Sequence, residues 1–194
     1  MHLSLDVAVQ DRLVQYLHLL HKWNKTYNLT AVREIRPMVS RHLLDSLSVL
    51  PFLEGSRVLD IGTGAGLPGI PLALARPDLH FVLLDSNHKK TRFLVQTCGS
   101  LGLENVEIIQ ERIEKFQPAE KFDTLVSRAF ASLEDFIQGT AHLAHSDIRW
   151  LAMKGQYPEA ELAGLPGFVR VESGNKLLVP DTEGQRHVIV LTTK

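Results

Sequence analysis

Apolar residues recur at helical spacing through the first fifty positions. Val7, Leu13, Leu17, Leu20 and Trp23 stand on one face of residues 7–24, with polar residues between them, a pattern that predicts an amphipathic helix. The stretch "NKTYNLTAV" (24–32) interrupts it, its asparagines and threonines favouring a turn. A second helix is predicted over 35–50, with Ile35, Val39, Leu43, Leu44, Leu47 and Leu50 on one face and Pro51 ending it.

From Ser56 the pattern becomes an alternation of strand and helix. Strands are predicted at 57–61, 80–85, 105–110 and 122–127, and helical stretches near 68–76, 87–101 and 133–144. A further strand ends in "LAMKG" (151–155). "GFVRVESG" (167–174) and "RHVIVLTT" (186–193) are β-rich runs that should pair antiparallel at one sheet edge. The expected fold is α/β: a doubly wound, mostly parallel sheet with an antiparallel C-terminal hairpin. A helical N-terminal extension (1–55) and a core (56–194) are expected to form one domain, since 194 residues suit a single core.

Composition narrows the class. Hydrophobic residues make up 44% and charged residues 22%, as in globular proteins with a full core. A formal net charge of -1 gives no global positive field toward nucleic acid. Cys98 is the sole cysteine, which excludes an internal disulfide or a multi-cysteine metal centre and suits a reducing cytoplasm. His18 and His21 share a helix face without a carboxylate, so no metal is expected. No run approaches the roughly 18 apolar residues of a membrane span, and the N-terminus lacks the basic segment of a signal peptide. A cytoplasmic protein is expected.

"VLDIGTGAGLPGIPLALARP" (58–77) holds the candidate chemistry. Gly62, Gly64 and Gly66 stand at alternate positions in a strand-to-helix turn, where a backbone can approach a ligand closely. The dinucleotide fingerprint G-x-G-x-x-G seats a pyrophosphate at a helix N-terminus. Here the third glycine comes one position early, and Pro68 stands where the helix should begin. Asp60 would face the ligand from the strand end. A carboxylate there repels a pyrophosphate and suits the zwitterionic methionine part of S-adenosylmethionine; the alternative is an N-capping aspartate. Asp85 ends the next strand 19 residues beyond Gly66, near the roughly 20-residue offset at which a carboxylate meets a ribose diol. Asp85 can also serve simply as a helix cap. Ile113 offers an apolar face to an adenine, Glu114 is its polar neighbour, and Arg128 belongs to the same carboxyl edge, where a surface ion pair is the alternative.

The acceptor is argued from what is missing. After the fourth strand stands "SRAF" rather than the Asn/Asp-Pro-Pro-aromatic motif of exocyclic-amine chemistry. Pyrimidine C5 methylation needs a thiolate, and Cys98 falls in a predicted helix away from the site. A ring nitrogen such as guanine N7 loses no proton and needs only in-line positioning. An NAD-dependent oxidoreductase has the wrong glycine spacing here, and a non-catalytic RNA-binding protein is the other class to separate. Residues 22–42 carry Lys22, Lys25, Arg33, Arg36 and Arg41 against Glu34, with Trp23 and Tyr27 among them. Such a surface can contact phosphates and stack on bases; the alternative is core packing for Trp23 and a solvated basic face. Lys154 can meet a substrate phosphate or simply be solvated.

"NKTYNLTAV", "RHLLDSLSVLP", "VLDIGTGAGLPGIPLAL", "LLDSNHKKTRFL", "VSRAFASL" and "LAMKG" together resemble the bacterial 16S ribosomal RNA guanine-N7 methyltransferases, the RsmG or GidB family. The resemblance covers nearly the whole chain and implies a Rossmann-type class I methyltransferase that uses S-adenosylmethionine on one guanine of small-subunit rRNA. It implies cofactor contacts at Gly62, Leu67, Ile113, Glu114 and Arg128, beside Asp60, Gly64 and Asp85 from the motif. Asn28, Arg41, His42 and Lys154 are candidates for positioning the RNA, no metal is implied, and a monomer is expected.

Overall fold

The computed structural model describes residues 4–194. Helix α1 (Val7–Tyr27) starts at Asp6, whose side chain accepts the Ala8 N–H, and ends at Asn28 in the left-handed conformation (φ 52°). Its apolar face buries Leu13, Tyr16, Leu17 and Leu20. The single helix expected over 35–50 is segmented instead. It comprises α2 (Ile35–Met38), a π-helical turn over Val39–Leu44 and α3 (Asp45–Leu47), followed by a 3-10 turn at Leu50–Phe52. A π turn inserts an extra residue and rotates the faces that follow it. His42 is buried, as is every residue from Asp45 to Leu50, so this part of the segment has no solvent face, while Arg41 stays in solvent.

The sheet contains β1 (Arg57–Ile61), β2 (His80–Leu84), β3 (Val106–Ile109), β4 (Thr124–Ser127), β5 (Arg149–Lys154), β6 (Val169–Lys176) and β7 (His187–Thr193). Its order is β3-β2-β1-β4-β5-β7-β6. The first five strands pair in parallel, and β7 lies antiparallel between β5 and β6. One face is covered by α1, α4 (Gly69–Ala75) and α5 (His88–Leu101), with Tyr16, Leu17, Ile70 and Phe93 in its core. The other is covered by α6 (Leu133–Thr140), which packs Phe136 and Ile137 near Trp150. The Trp150 indole N–H donates to Thr140 Oγ1 at 2.8 Å, satisfying the polar atom of that buried ring. A short helix α7 (Glu159–Leu162), too brief for periodicity to reveal, follows β5.

Strand order reverses between β1 and β4, so their carboxyl ends open a crevice, the place where ligands bind in such sheets. Asp60, fully buried near the end of β1, organises the turn beside it. Its Oδ2 accepts from Thr63 Oγ1 (2.6 Å) and from the Gly69 N–H (2.8 Å) at the start of α4. A side chain at Gly69 would strike Leu83 and Asp60, so only glycine lets the helix start touch the carboxylate. From the other side, Tyr16 Oη donates to the Ala65 carbonyl at 2.7 Å, joining α1 to the same turn.

Burial pushes the Asp60 carboxyl from 3.8 up to about 6, against the opposing effect of the Thr63 and Gly69 bonds. The folded protein therefore holds this proton through an interval in which the unfolded chain has released it. Stability falls as pH rises through that interval. In Asp60→Asn the amide oxygen can accept both bonds and carries no charge to bury. The variant's stability relative to the parent is expected to rise between about pH 4 and 6, by up to about 3 kcal/mol. Urea unfolding at several pH values measures this, and a pH-independent difference would contradict it.

Candidate functional site

A cleft of about 300 Å³ opens at the carboxyl ends of β1 and β2, and residues following β3 and β4 close it. Four of the sequence candidates line it: Gly62, Asp85, Ile113 and Glu114. Gly62 (φ 67°) donates its N–H to the Leu84 carbonyl at 2.9 Å, and a Cβ there would come 2.6 Å from Ala129 Cβ. Any side chain would thus push the end of β1 off the segment after β4. Ser127 ties those two ends together, its hydroxyl donating to the Ile61 carbonyl (2.7 Å) and accepting the Ala129 N–H (3.0 Å).

Asp85 lines the cleft, and the cap of α5 that was its alternative from sequence is Asn87 instead. Its Oδ2 accepts the Gly64 N–H at 2.9 Å and its Oδ1 the Asn87 N–H at 2.8 Å; Asn87 in turn caps α5. The carboxylate is buried except where it lines the cleft, with Lys90 Nζ 3.5 Å from Oδ2. Ile113, buried, and Glu114, exposed, sit on a one-turn 3-10 helix over Ile113–Lys115. Lys90 and Phe130 complete walls that sequence reasoning did not assign. Lys90 belongs to the basic "NHKKTR" group, whereas nothing local marked Phe130.

The remaining candidates lie elsewhere. Asp60 sits beneath the turn rather than facing the cleft, because its carboxylate is taken inward by Thr63 and Gly69. Leu67 is buried in the core under the turn, its N–H donated to the Thr63 carbonyl. Gly64 adjoins the cleft through its bond to Asp85. Arg128 turns away from the first cleft into a second cavity, of about 270 Å³, at the carboxyl ends of β4 and β5. There its Nη1 lies 2.9 Å from Asp45 Oδ2. The chain divides the two spaces here: Arg128 lines one cavity, Ala129 and Phe130 the other.

The four RNA-side candidates do not converge. Lys154 lines the second cavity, but its ammonium donates to Glu161 Oε2 (2.9 Å) and the Ala131 carbonyl (3.0 Å). Asn28 is the exposed cap of α1, and exposed Arg41 lies 3.8 Å from Glu183. His42 is buried with Nε2 2.9 Å from Thr30 Oγ1, and burial holds its imidazole below the ordinary range. Asp45, Arg186 and His187, which line the second cavity, were missed. Asp45 did leave a signal, a lone acid among the apolar positions of "RHLLDSLSVLP". In the basic stretch, Trp23 packs against Tyr27 (5.0 Å) and Phe93 (5.6 Å), so the core-packing alternative describes that ring. Lys22, Lys25, Arg36 and Arg41 are exposed.

Solved structures similar to this chain share its fold. A methyltransferase from Aquifex aeolicus described as SAM-dependent aligns with TM-score 0.61 at 19% identity, covering 80% of this chain and 93% of that one. TrmK of M. capricolum, solved with S-adenosyl-homocysteine, aligns with TM-score 0.60 at 12% identity, covering 77% and 67%. The architecture is thus that of a class I, Rossmann-like methyltransferase. Among sequences, the ribosomal RNA small subunit methyltransferase G of Pseudomonas aeruginosa (strain LESB58) is 54% identical over 189 residues, 97% of this chain and 88% of that protein. The protein of the same name from Legionella pneumophila is 52% identical over 184 residues, covering 95% and 87%. The family model described as rRNA small subunit methyltransferase G matches residues 9–189. With most of its length matched both by that model and by relatives of more than half identical sequence, the chain belongs to the rRNA small subunit methyltransferase G family.

Proposed function

We propose that the protein transfers the methyl group of S-adenosylmethionine to N7 of a guanine in 16S rRNA, acting as a monomer in the cytoplasm. The observation that carries this reading is the pair of cavities divided by the end of β4, with Asp85 facing the first. A methyl donor in one and a base in the other would meet across Arg128 and Ala129.

The residues of the first cleft fit the cofactor. Asp85 keeps lone pairs for ribose hydroxyls after accepting the Gly64 and Asn87 N–H groups. Ile113 supplies an apolar face for adenine, and Glu114 stands beside it as an acceptor. Gly62, without a side chain, leaves room for the amino-acid part. Asp60 acts through its field from beneath the turn, favouring positive charge above it. When bound, S-adenosylmethionine supplies an electrophilic methyl on a sulfonium. The chain's own residues then need only align donor and acceptor, because guanine N7 attacks with a free lone pair and no proton leaves it. Burial pushes the Cys98 thiol up to about 11, which supports a route without a thiolate. The depressed imidazole of His42 is held by Thr30 inside the helical segment, away from either cavity's lining.

The exposed cations Lys22, Lys25, Arg36 and Arg41 support an RNA-facing surface on the helical extension.

Three outcomes are expected. Methylation of 30S subunits or 16S rRNA with labelled S-adenosylmethionine should give one product, located by cleavage specific to N7-methylguanine; a label on any other atom would refute the reading. Asp85→Ala should weaken S-adenosylhomocysteine binding in calorimetry by roughly 1.5–3 kcal/mol, the loss of hydrogen bonds to a charged group, and unchanged affinity would remove Asp85 from the ribose. Reversing charge at Arg36 and Arg41 together should raise KM for RNA several-fold without altering S-adenosylhomocysteine affinity. Unaltered KM would make that face a solvated surface.

A further inference from the structure

We propose that Asp45 is the specificity-determining residue for the acceptor base: its carboxylate accepts the N1–H and 2-amino donors of guanine inside the second cavity. This rests on the guanine-N7 reading above.

The cavity is built, polar and placed for the reaction. Asp45, Arg128, Met153, Lys154, Arg186 and His187 wall it at the carboxyl ends of β4 and β5, directly across the β4 end from the first cleft. Lys154 is already neutralised by Glu161, so the polar groups left to face the space are one carboxylate, two guanidinium groups and the His187 imidazole. Asp45 is 5% exposed, and a buried carboxylate is costly unless each oxygen is matched. Oδ2 is matched by Arg128 Nη1 at 2.9 Å. Oδ1 has no hydrogen-bond partner, although Arg186 Nε lies 3.2 Å from it out of line.

Guanine complements this arrangement. Its Watson–Crick edge presents, in order, an acceptor at O6 and donors at N1 and N2. Arginine beside aspartate offers a donor and then acceptors. Adenine places an acceptor at N1 and would meet the carboxylate with a lone pair. Enzymes acting on single bases commonly read this edge of an unstacked base. A guanine held by it keeps N7, on the other ring, free for the methyl donor. Methyl transfer balances without a base: the sulfonium C–S bond breaks with its electron pair on sulfur, the N7 lone pair forms the new bond, and positive charge moves onto the purine. Asp45 then faces a base that becomes cationic, an interaction stronger in the transition state than in the ground state.

The test crosses protein with base, using 30S subunits reconstituted with 16S rRNA carrying guanosine or inosine at the mapped position. Inosine lacks only the 2-amino group. The parent should transfer methyl to inosine about tenfold more slowly in single turnover, the effect of one hydrogen bond to a charged acceptor. In Asp45→Asn the guanosine rate should fall by at least that factor, the guanosine-to-inosine ratio should approach one, and S-adenosylhomocysteine affinity should be unchanged. A ratio that stays near ten in the variant shows the 2-amino group is read elsewhere and overturns the proposal. So does a parent that uses both bases equally, a result independent of how the variant folds. Failure of the parent to form N7-methylguanine overturns the function reading itself, and is seen before any variant is made.

Discussion

Asp60 is the constraint on which the site depends. A carboxylate without solvent is tolerated at the centre of the sheet because Thr63 and the first amide of α4 converge on one of its oxygens. Those bonds determine how the chain turns from β1 into α4, and the turn determines where Gly62 and Gly64 stand. Asp85 takes the Gly64 amide from one flank and Tyr16 takes the Ala65 carbonyl from the other. The cleft wall is therefore held by backbone groups whose partners are buried side chains.

The end of β4 performs the second division of labour. Ser127 anchors it to β1, after which Arg128 lines one side and Ala129 and Phe130 the other, and the crevice becomes two spaces of similar size. The first is floored by glycine backbone and walled by apolar groups, three carboxylates, Lys90 and Arg112. The second is walled by arginines around one acid. Such a contrast suits two partners of different chemistry meeting at a shared edge.

Much of this was legible in sequence because it is local. Strand and helix periods, the glycine spacing and the offset from Gly66 to Asp85 are short-range patterns, and the elements they marked are present with shifts at their ends, except the helix over 35–50, which is segmented. Asp60 was placed at the right strand end but aimed wrongly, since a strand buried on both faces carries no alternation to show direction. Arg128 lines the second cavity while Ala129 and Phe130 line the first, a division within a loop that no periodic pattern marks. The burial of Asp45 was hidden because residues 45–50 are buried on every side, which leaves no amphipathic period to read. Arg186 comes to Asp45 across 141 positions through the register of β5 with β7, which no local pattern encodes.

The position of β7 gives the molecule a temporal order. It is the last strand in the chain yet lies inside the sheet, pairing with β5 on one side and β6 on the other. Every residue lining the first cleft precedes position 131, whereas the second cavity waits for Arg186 and His187. A chain emerging from its N-terminus thus presents the complete wall set of one space while the other still lacks a side. Strand β7, synthesised after β6, joins β5 to β6 and closes the second cavity together.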